Sequence, residues 1–123
     1  MRPALHRRAQ SGGGAATPHR ARLEQVGSRD DGSPEPELQA QVRRAFENLN
    51  AILAAAGCTF DDVVDVTVFV VNPAANFEAI WAIVPEYWGG APHPALTGIG
   101  VTWLYGFQFE IKVIARLPAV AEG

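Results

Sequence analysis

Residues 63–71 read Val-Val-Asp-Val-Thr-Val-Phe-Val-Val, six valines in nine positions, and the rest of the chain is read outward from them. β-Branched and aromatic side chains in alternation suit a pleated, half-buried strand. Val64, Val66, Val68 and Val70 fall on one face; Asp65, Thr67 and Phe69 fall on the other. Asn72-Pro73 ends the run, because proline has no N–H to give a ladder.

Upstream, Ser33-Pro34-Glu35-Pro36-Glu37 has the make-up of a helix start, with a serine cap, proline in the first turn and carboxylates at the positive end of the dipole. Leu38, Val42, Ala45, Phe46, Leu49, Ile52, Leu53 and Ala56 then recur at steps of three and four, and Gly57 is a stop. The spacing predicts one amphipathic helix over 35–56. Downstream, a second helix is expected from Asn76, with Phe77, Ile80, Trp81 and Val84 inward, a kink or early end at Pro85, and Gly89-Gly90 after it. Strands over 96–104 and 107–116 follow, joined near Tyr105-Gly106; Phe107, Phe109, Ile111, Val113 and Ala115 alternate with Gln108, Glu110, Lys112, Ile114 and Arg116. This order gives an α+β fold, a sheet backed on one face by two helices. Three strands alone leave exposed edges, so further strands or subunits are needed to cover them.

The length of 123 residues suits one domain, and 48% hydrophobic content suffices for a core. Charge is uneven: residues 1–23 hold Arg2, Arg7, Arg8, Arg20 and Arg22 and no acid, while the other hundred hold five basic and thirteen acidic side chains. An acidic folded part disfavours nucleic acid, whose binding rests on Lys and Arg. Residues 1–24 lack any period and are expected to be disordered or atypical, 25–118 to form the domain, and 119–123 a tail. The acid-free Arg/Gly/Ala/Pro tract resembles G+C-rich DNA read out of frame, which points to a different start or frame. Cys58 is alone, so no internal disulfide forms and a reducing compartment is expected. Nothing approaches a membrane span or a secretory signal, and the tract has no amphipathic face of a transit peptide, so a cytoplasmic protein with no membrane partner is expected.

Certain stretches are more specific. Gln41-Val42-Arg43-Arg44-Ala45-Phe46-Glu47-Asn48-Leu49, Ala54-Ala55-Ala56-Gly57, 62–70, Pro94-Ala95 and Glu110-Ile111-Lys112-Val113-Ile114-Ala115 occur in this order. With them, residues 25–118 resemble the RidA/YjgF family. The resemblance implies a chorismate mutase-like homotrimer with a mixed sheet, two outer helices and clefts between subunits. It implies hydrolysis of small enamines and imines to a 2-keto acid and ammonia, without a cofactor. The family reads Pro-Ala-Arg before its penultimate strand, and that arginine grips the substrate carboxylate bidentately. This chain reads Pro94-Ala95-Leu96; Gly98 stands where a cysteine is usual, and Trp81 aligns with an asparagine of deaminating members. The glutamate that orients water is kept as Glu110. The family's opening hairpin is not recognisable in residues 1–22.

The resemblance therefore makes Glu110 the catalytic candidate and Leu96, Thr97, Gly98, Trp81 and His93 the substrate-binding ones, against plainer readings. Glu110 could be an edge carboxylate, His93 a solvated loop residue, and Leu96, Gly98 and Trp81 the filling of a degenerate cleft. Cys58 reads as a turn or buried thiol. Trp88, Trp103, Tyr105 and Phe107 read as core or interface aromatics, with a stacking surface as the alternative. Arg116 could replace the missing cation, but lies about 20 Å along the strand from Glu110. His6, His19 and His93 show no metal spacing, and no metal is expected. Three functions follow: a hydrolase whose substrate is less acidic or held some other way, a non-catalytic ligand-binding trimer, and a ribonuclease or translation inhibitor. The last is disfavoured by charge.

Overall fold

The computed structural model describes residues 5–6, 20–88 and 95–118. Gly89, Gly90, His93, Pro94, the tail at 119–123 and most of the N-terminal tract lie outside these. The described elements are β1 (Leu5–His6), β2 (Arg20–Val26), α1 (Leu38–Ala55), β3 (Val63–Val71), α2 (Pro73–Ile83), α3 (Pro85–Trp88), β4 (Ala95–Val101) and β5 (Phe109–Arg116).

The alternation of the last strand is realised from Phe109 on, while Phe107 and Gln108 precede the strand and are both half-buried. Phe109, Ile111, Val113 and Ala115 are all buried, and the residues between them are half-buried or exposed. β5 lies in the middle of a mixed sheet of order β1-β2-β5-β3-β4, antiparallel to β2 and β3, with β4 parallel to β3. On β3, Val66, Val68 and Val70 enter the core as the sequence predicts. Val64 is only half-buried, because the register shifts between Val63 and Asp65 and Val63 turns inward instead.

α1 brings Val42, Ala45, Phe46, Leu49 and Leu53 onto the sheet over β2 and β5. Phe46 is its centre, stacked on Tyr87 at 4.4 Å between ring centroids and flanked by Phe109 at 6.2 Å. The helix starts three residues later than expected, capped by Glu37 without a side-chain bond. Ser33 does not cap it; the hydroxyl donates to Asp31 instead, at 2.6 Å. What secures the approach to α1 is Gln41, only 2% exposed. Its Nε2 donates to the Glu35 carbonyl at 2.9 Å and its Oε1 accepts from the Gln108 N–H at 2.6 Å. Gly27 lies against this residue so closely that a Cβ there would sit 2.0 Å from the Gln41 carbonyl oxygen.

Three expectations are corrected. Residues 20–26 are a strand, and Ala21 and Leu23 belong to the core, so the ordered domain starts before residue 25 and includes an N-terminal strand pair. Ala, Glu and Arg have weak strand preference; pairing with β5 supplies what local sequence does not. Second, α2 begins at Pro73, and its buried residues are Ile80 and Ile83, with Val84 following; Phe77 and Trp81 stay 45% and 42% exposed, stacked on each other at 5.6 Å. Third, the last two strands, expected over 96–104 and 107–116, run over Ala95–Val101 and Phe109–Arg116 and do not pair with each other. They meet only in a tight turn at Leu104–Phe107, where Tyr105 and Gly106 take φ of 56° and 94°, and then take opposite edges of β3. Trp103 and Tyr105 project from this turn, 64% and 80% exposed, rather than filling the core.

Because Leu23 is fully buried on β2, Leu23→Ala should lower unfolding stability by about 2–5 kcal/mol in urea titration. A change near zero would mean that residues 20–26 are not part of the sheet.

Candidate functional site

A strand places successive side chains on opposite faces, and cross-strand partners share a face. Leu96 is in register with Val66 and Gly98 with Val68, both core valines. Leu96 and Gly98 therefore lie on the helix side of the sheet. A Cβ built on Gly98 would sit 3.8 Å from Val68 Cγ2, in keeping with this. Both residues are nonetheless exposed, since β4 is an edge strand beyond the cover of the helices. Thr97, in register with Thr67, takes the opposite side.

Glu110 is also on that opposite side. It pairs with Phe69 of β3 and with Val26 of β2, and Lys112 pairs with Thr67 and Glu24. The face free of α1 and α2 thus carries Glu110, Lys112, Thr67 and Thr97 among apolar residues such as Phe69 and Ile99. Glu110 and Lys112, two apart on one strand, have Cα atoms about 7 Å apart. The Lys112 ammonium is 5.8 Å from the Phe69 ring centroid. Thr67 is 9% exposed.

The predicted site residues are therefore not gathered within one chain. Glu110 and Thr97 share the uncovered face, Leu96 and Gly98 lie behind it, and Trp81 stands on α2 beside Phe77. His93 lies outside the described residues. Lys112 and Thr67 were not singled out as candidates from sequence, although alternation alone puts Lys112 beside Glu110 and Thr67 on the face opposite the valines.

Elsewhere, a groove of about 420 Å³ runs between Ser28–Gly32 and Asn48 and Ile52 of α1. None of the candidate residues lines it. Its wall is structural: Asn48 Nδ2 donates to the carbonyls of Val26 and Ser28 at 3.1 and 3.2 Å. Among the described residues, no cluster of three or more His, Cys, Asp or Glu could hold a metal ion, and no helix is long and apolar enough to cross a membrane. Burial pushes the Cys58 thiol above its ordinary value, with the Asp62 charge adding to it. Its sulfur points to the Arg116 carbonyl at 3.4 Å. Burial likewise raises the Tyr87 phenol.

A family model described as Endoribonuclease L-PSP matches residues 24–117. Over 94 residues the sequence is 61% identical to RutC family protein YjgH of Escherichia coli (strain K12), covering 76% of this chain and 72% of that protein. The chain belongs to the RidA/YjgF family. A solved structure of YjgH superposes with a TM-score of 0.79 at 56% identity, covering 82% of this chain and 78% of the other. The RidA/YjgF chain thus has the family's chorismate mutase-like α+β fold. A 2-iminobutanoate/2-iminopropanoate deaminase of Dermatophagoides farinae is 33% identical over 67 residues, covering 54% of this chain and 51% of that protein. Deaminases are thus among the relatives of this RidA/YjgF protein.

Cys58 should react with a disulfide reagent at pH 8 about tenfold slower or more in the native protein than in urea. Raised folded values favour the native state below the unfolded ones, and that advantage is lost as pH rises past them. Stability should therefore fall from about pH 9 upward, and less so in Cys58→Ala and Tyr87→Phe. Equal thiol reactivity in both states would contradict the buried placement.

Proposed function

We propose that this protein is a homotrimeric hydrolase of the deaminase type, acting on a small enamine or imine in a cleft between subunits. Glu110 would orient the attacking water. The observation that carries the reading is the position of Glu110 on the uncovered face of the sheet, with Thr97 on the same side, in a chain related to an imine deaminase.

The chemistry needs little more than a placed water and a carboxylate. Water adds to the carbon of C=N, with Glu110 accepting one of its protons and passing it to nitrogen to give a carbinolamine. The hydroxyl proton of that adduct then passes, again through Glu110, to nitrogen as the C–N bond breaks and C=O forms. The products are a carbonyl compound and ammonia, with no redox change. Backbone N–H groups along the outer edge of β4, which has no neighbour among the described residues, could meet developing negative charge.

Two features support a cleft shared by subunits. Leu96 and Glu110 lie on opposite faces of the sheet, so no single chain can offer both to one ligand. The edge strand β4 is exposed from Ala95 to Gly100, with Leu96 and Ile99 at 37% and 40%, and association would remove that liability. By resemblance, Leu96 stands where the carboxylate-binding arginine is usual, so an acid group would have to be held elsewhere. A ribonuclease activity finds less support: Arg22, Arg43 and Arg44 are each paired with a glutamate rather than forming a basic stripe.

The protein should sediment as three copies. In assays that generate 2-iminopropanoate in place, Glu110→Gln should lower kcat/KM about 100-fold or more with the trimer intact. Turnover unchanged in Glu110→Gln overturns the role of Glu110, and no turnover in the native protein leaves a ligand-binding trimer. RNA cleavage lost in Glu110→Gln would establish a ribonuclease instead.

A further inference from the structure

We infer that two exposed aromatic pairs of this chain meet across the boundary between copies, the Trp103–Tyr105 pair of one copy packing on the Phe77–Trp81 pair of the next. The inference rests on the trimer reading above and names a contact that would build it.

α2 is apolar on every side. Of its eleven residues only Asn76 and Glu78 are polar, and the Asn76 Nδ2 already donates to the Val71 carbonyl at 2.8 Å. Ile80 and Ile83 fill the core from the inner side. Phe77 and Trp81, one turn apart, lie exposed on the outer side with their rings only 13° from parallel. A surface helix keeps a polar face to water, as α1 does with Gln39, Arg43, Glu47 and Asn50; a helix apolar all round is a covered one. The turn after β4 makes a similar sacrifice. The Phe107 N–H closes it on the Leu104 carbonyl at 3.0 Å, with Tyr105 and Gly106 both at positive φ. Such a turn favours asparagine followed by glycine, yet its first place holds a tyrosine, whose Cβ crowds the backbone in that conformation. The rings of Trp103 and Tyr105 stand in water, 4.2 Å apart.

Among the described residues the rings of the tip touch neither ring of the α2 pair. One chain thus carries a projecting aromatic knob and a flat aromatic ridge that do not meet within it. Because the two surfaces differ, each copy would use one toward each neighbour, and a head-to-tail contact of this kind closes into a ring, as a trimer requires. Taking about 200 Å² for an aromatic side chain, the exposed parts of the four rings come to about 450 Å², more than a quarter of a standard interface of about 1,600 Å² and enough for its buried centre. Charge also favours a copy. Glu78 is the one charged residue of α2 and residues 102–107 hold none, so two copies meet here without repulsion. Thirteen acids against five bases over residues 24–123 repel the phosphates of a nucleic acid or a membrane instead. Trp81 is placed at the cleft by resemblance, so the tip of the next copy would form part of the cleft wall.

The test uses the full-length chain with Cys58→Ala, to which Trp81→Cys and Trp103→Cys are added singly and together. Each variant is treated with a short bis-maleimide and read on a denaturing gel, beside sedimentation of the native protein. Chains linked to one another in the double variant alone support the contact. A link within one chain means that the tip folds onto its own α2, and links in a single variant mean that like meets like; either overturns it. A native trimer whose double variant gives no links overturns the contact and keeps the trimer. Links between chains of a protein that sediments as some other assembly keep the contact and discard the trimer, and a monomer at every concentration overturns both. Trp81→Ala and Trp103→Ala should each raise the dissociation constant of the assembly about tenfold or more; unchanged assembly in both overturns the inference. Should the cysteine variants fail to fold, oxidation of the native protein by N-bromosuccinimide, read by peptide mass, decides. Trp81 and Trp103 should both become protected as concentration rises through assembly, and rates indifferent to concentration overturn the contact.

Discussion

β5 has a neighbour on each side and side chains that alternate without a break, and the rest of the molecule follows from this. Between β2 and β3 every second residue must enter the core, and Phe109, Ile111, Val113 and Ala115 do. The residues between them are forced to the other face by the same period. A slip of one residue would bury Glu110 and Lys112 and expose the apolar set, so the hydrophobic face fixes where the polar groups stand. The positions of Glu110 and Lys112 are thus a by-product of core packing.

The helices complete this arrangement by covering one face only. α1 is held over β2 and β5 by its apolar stripe and by the Gln41 side chain, which ties its first turns to Glu35 and to Gln108 at the start of β5. Nothing described covers the other face or the outer edge of β4. A small chain built in this way has one face of its sheet packed under helices and, among the described residues, the other face open.

The fold was legible where pattern and packing agree. The β3 run and the β5 alternation were read from sequence with their buried faces nearly correct, and the stripe of α1 was read to within three residues at its start. β2 was missed because Arg-Ala-Arg-Leu-Glu-Gln carries little strand preference and is held by pairing with β5. Phe77 and Trp81 were assigned to the core because helical spacing reports a face but not which of two apolar faces is inward; Ile80 and Ile83 are inward. The candidate site residues came from resemblance, and their places in the fold could not be read from the sequence. Only the register of β4 on β3 and of β3 on β5 separates Leu96 and Gly98 from Thr97 and Glu110.

The claim on which this account depends is that ligand chemistry belongs to the uncovered face of the sheet. A crystal structure of the protein soaked with 2-oxopropanoate addresses it most directly. The account predicts the ligand between subunits, against the face that carries Glu110 and Thr97, with its keto carbon turned toward Glu110. A ligand lodged in the groove beside Ser28–Gly32, or against Leu96 and Gly98 with no side chain of the uncovered face in reach, would contradict it.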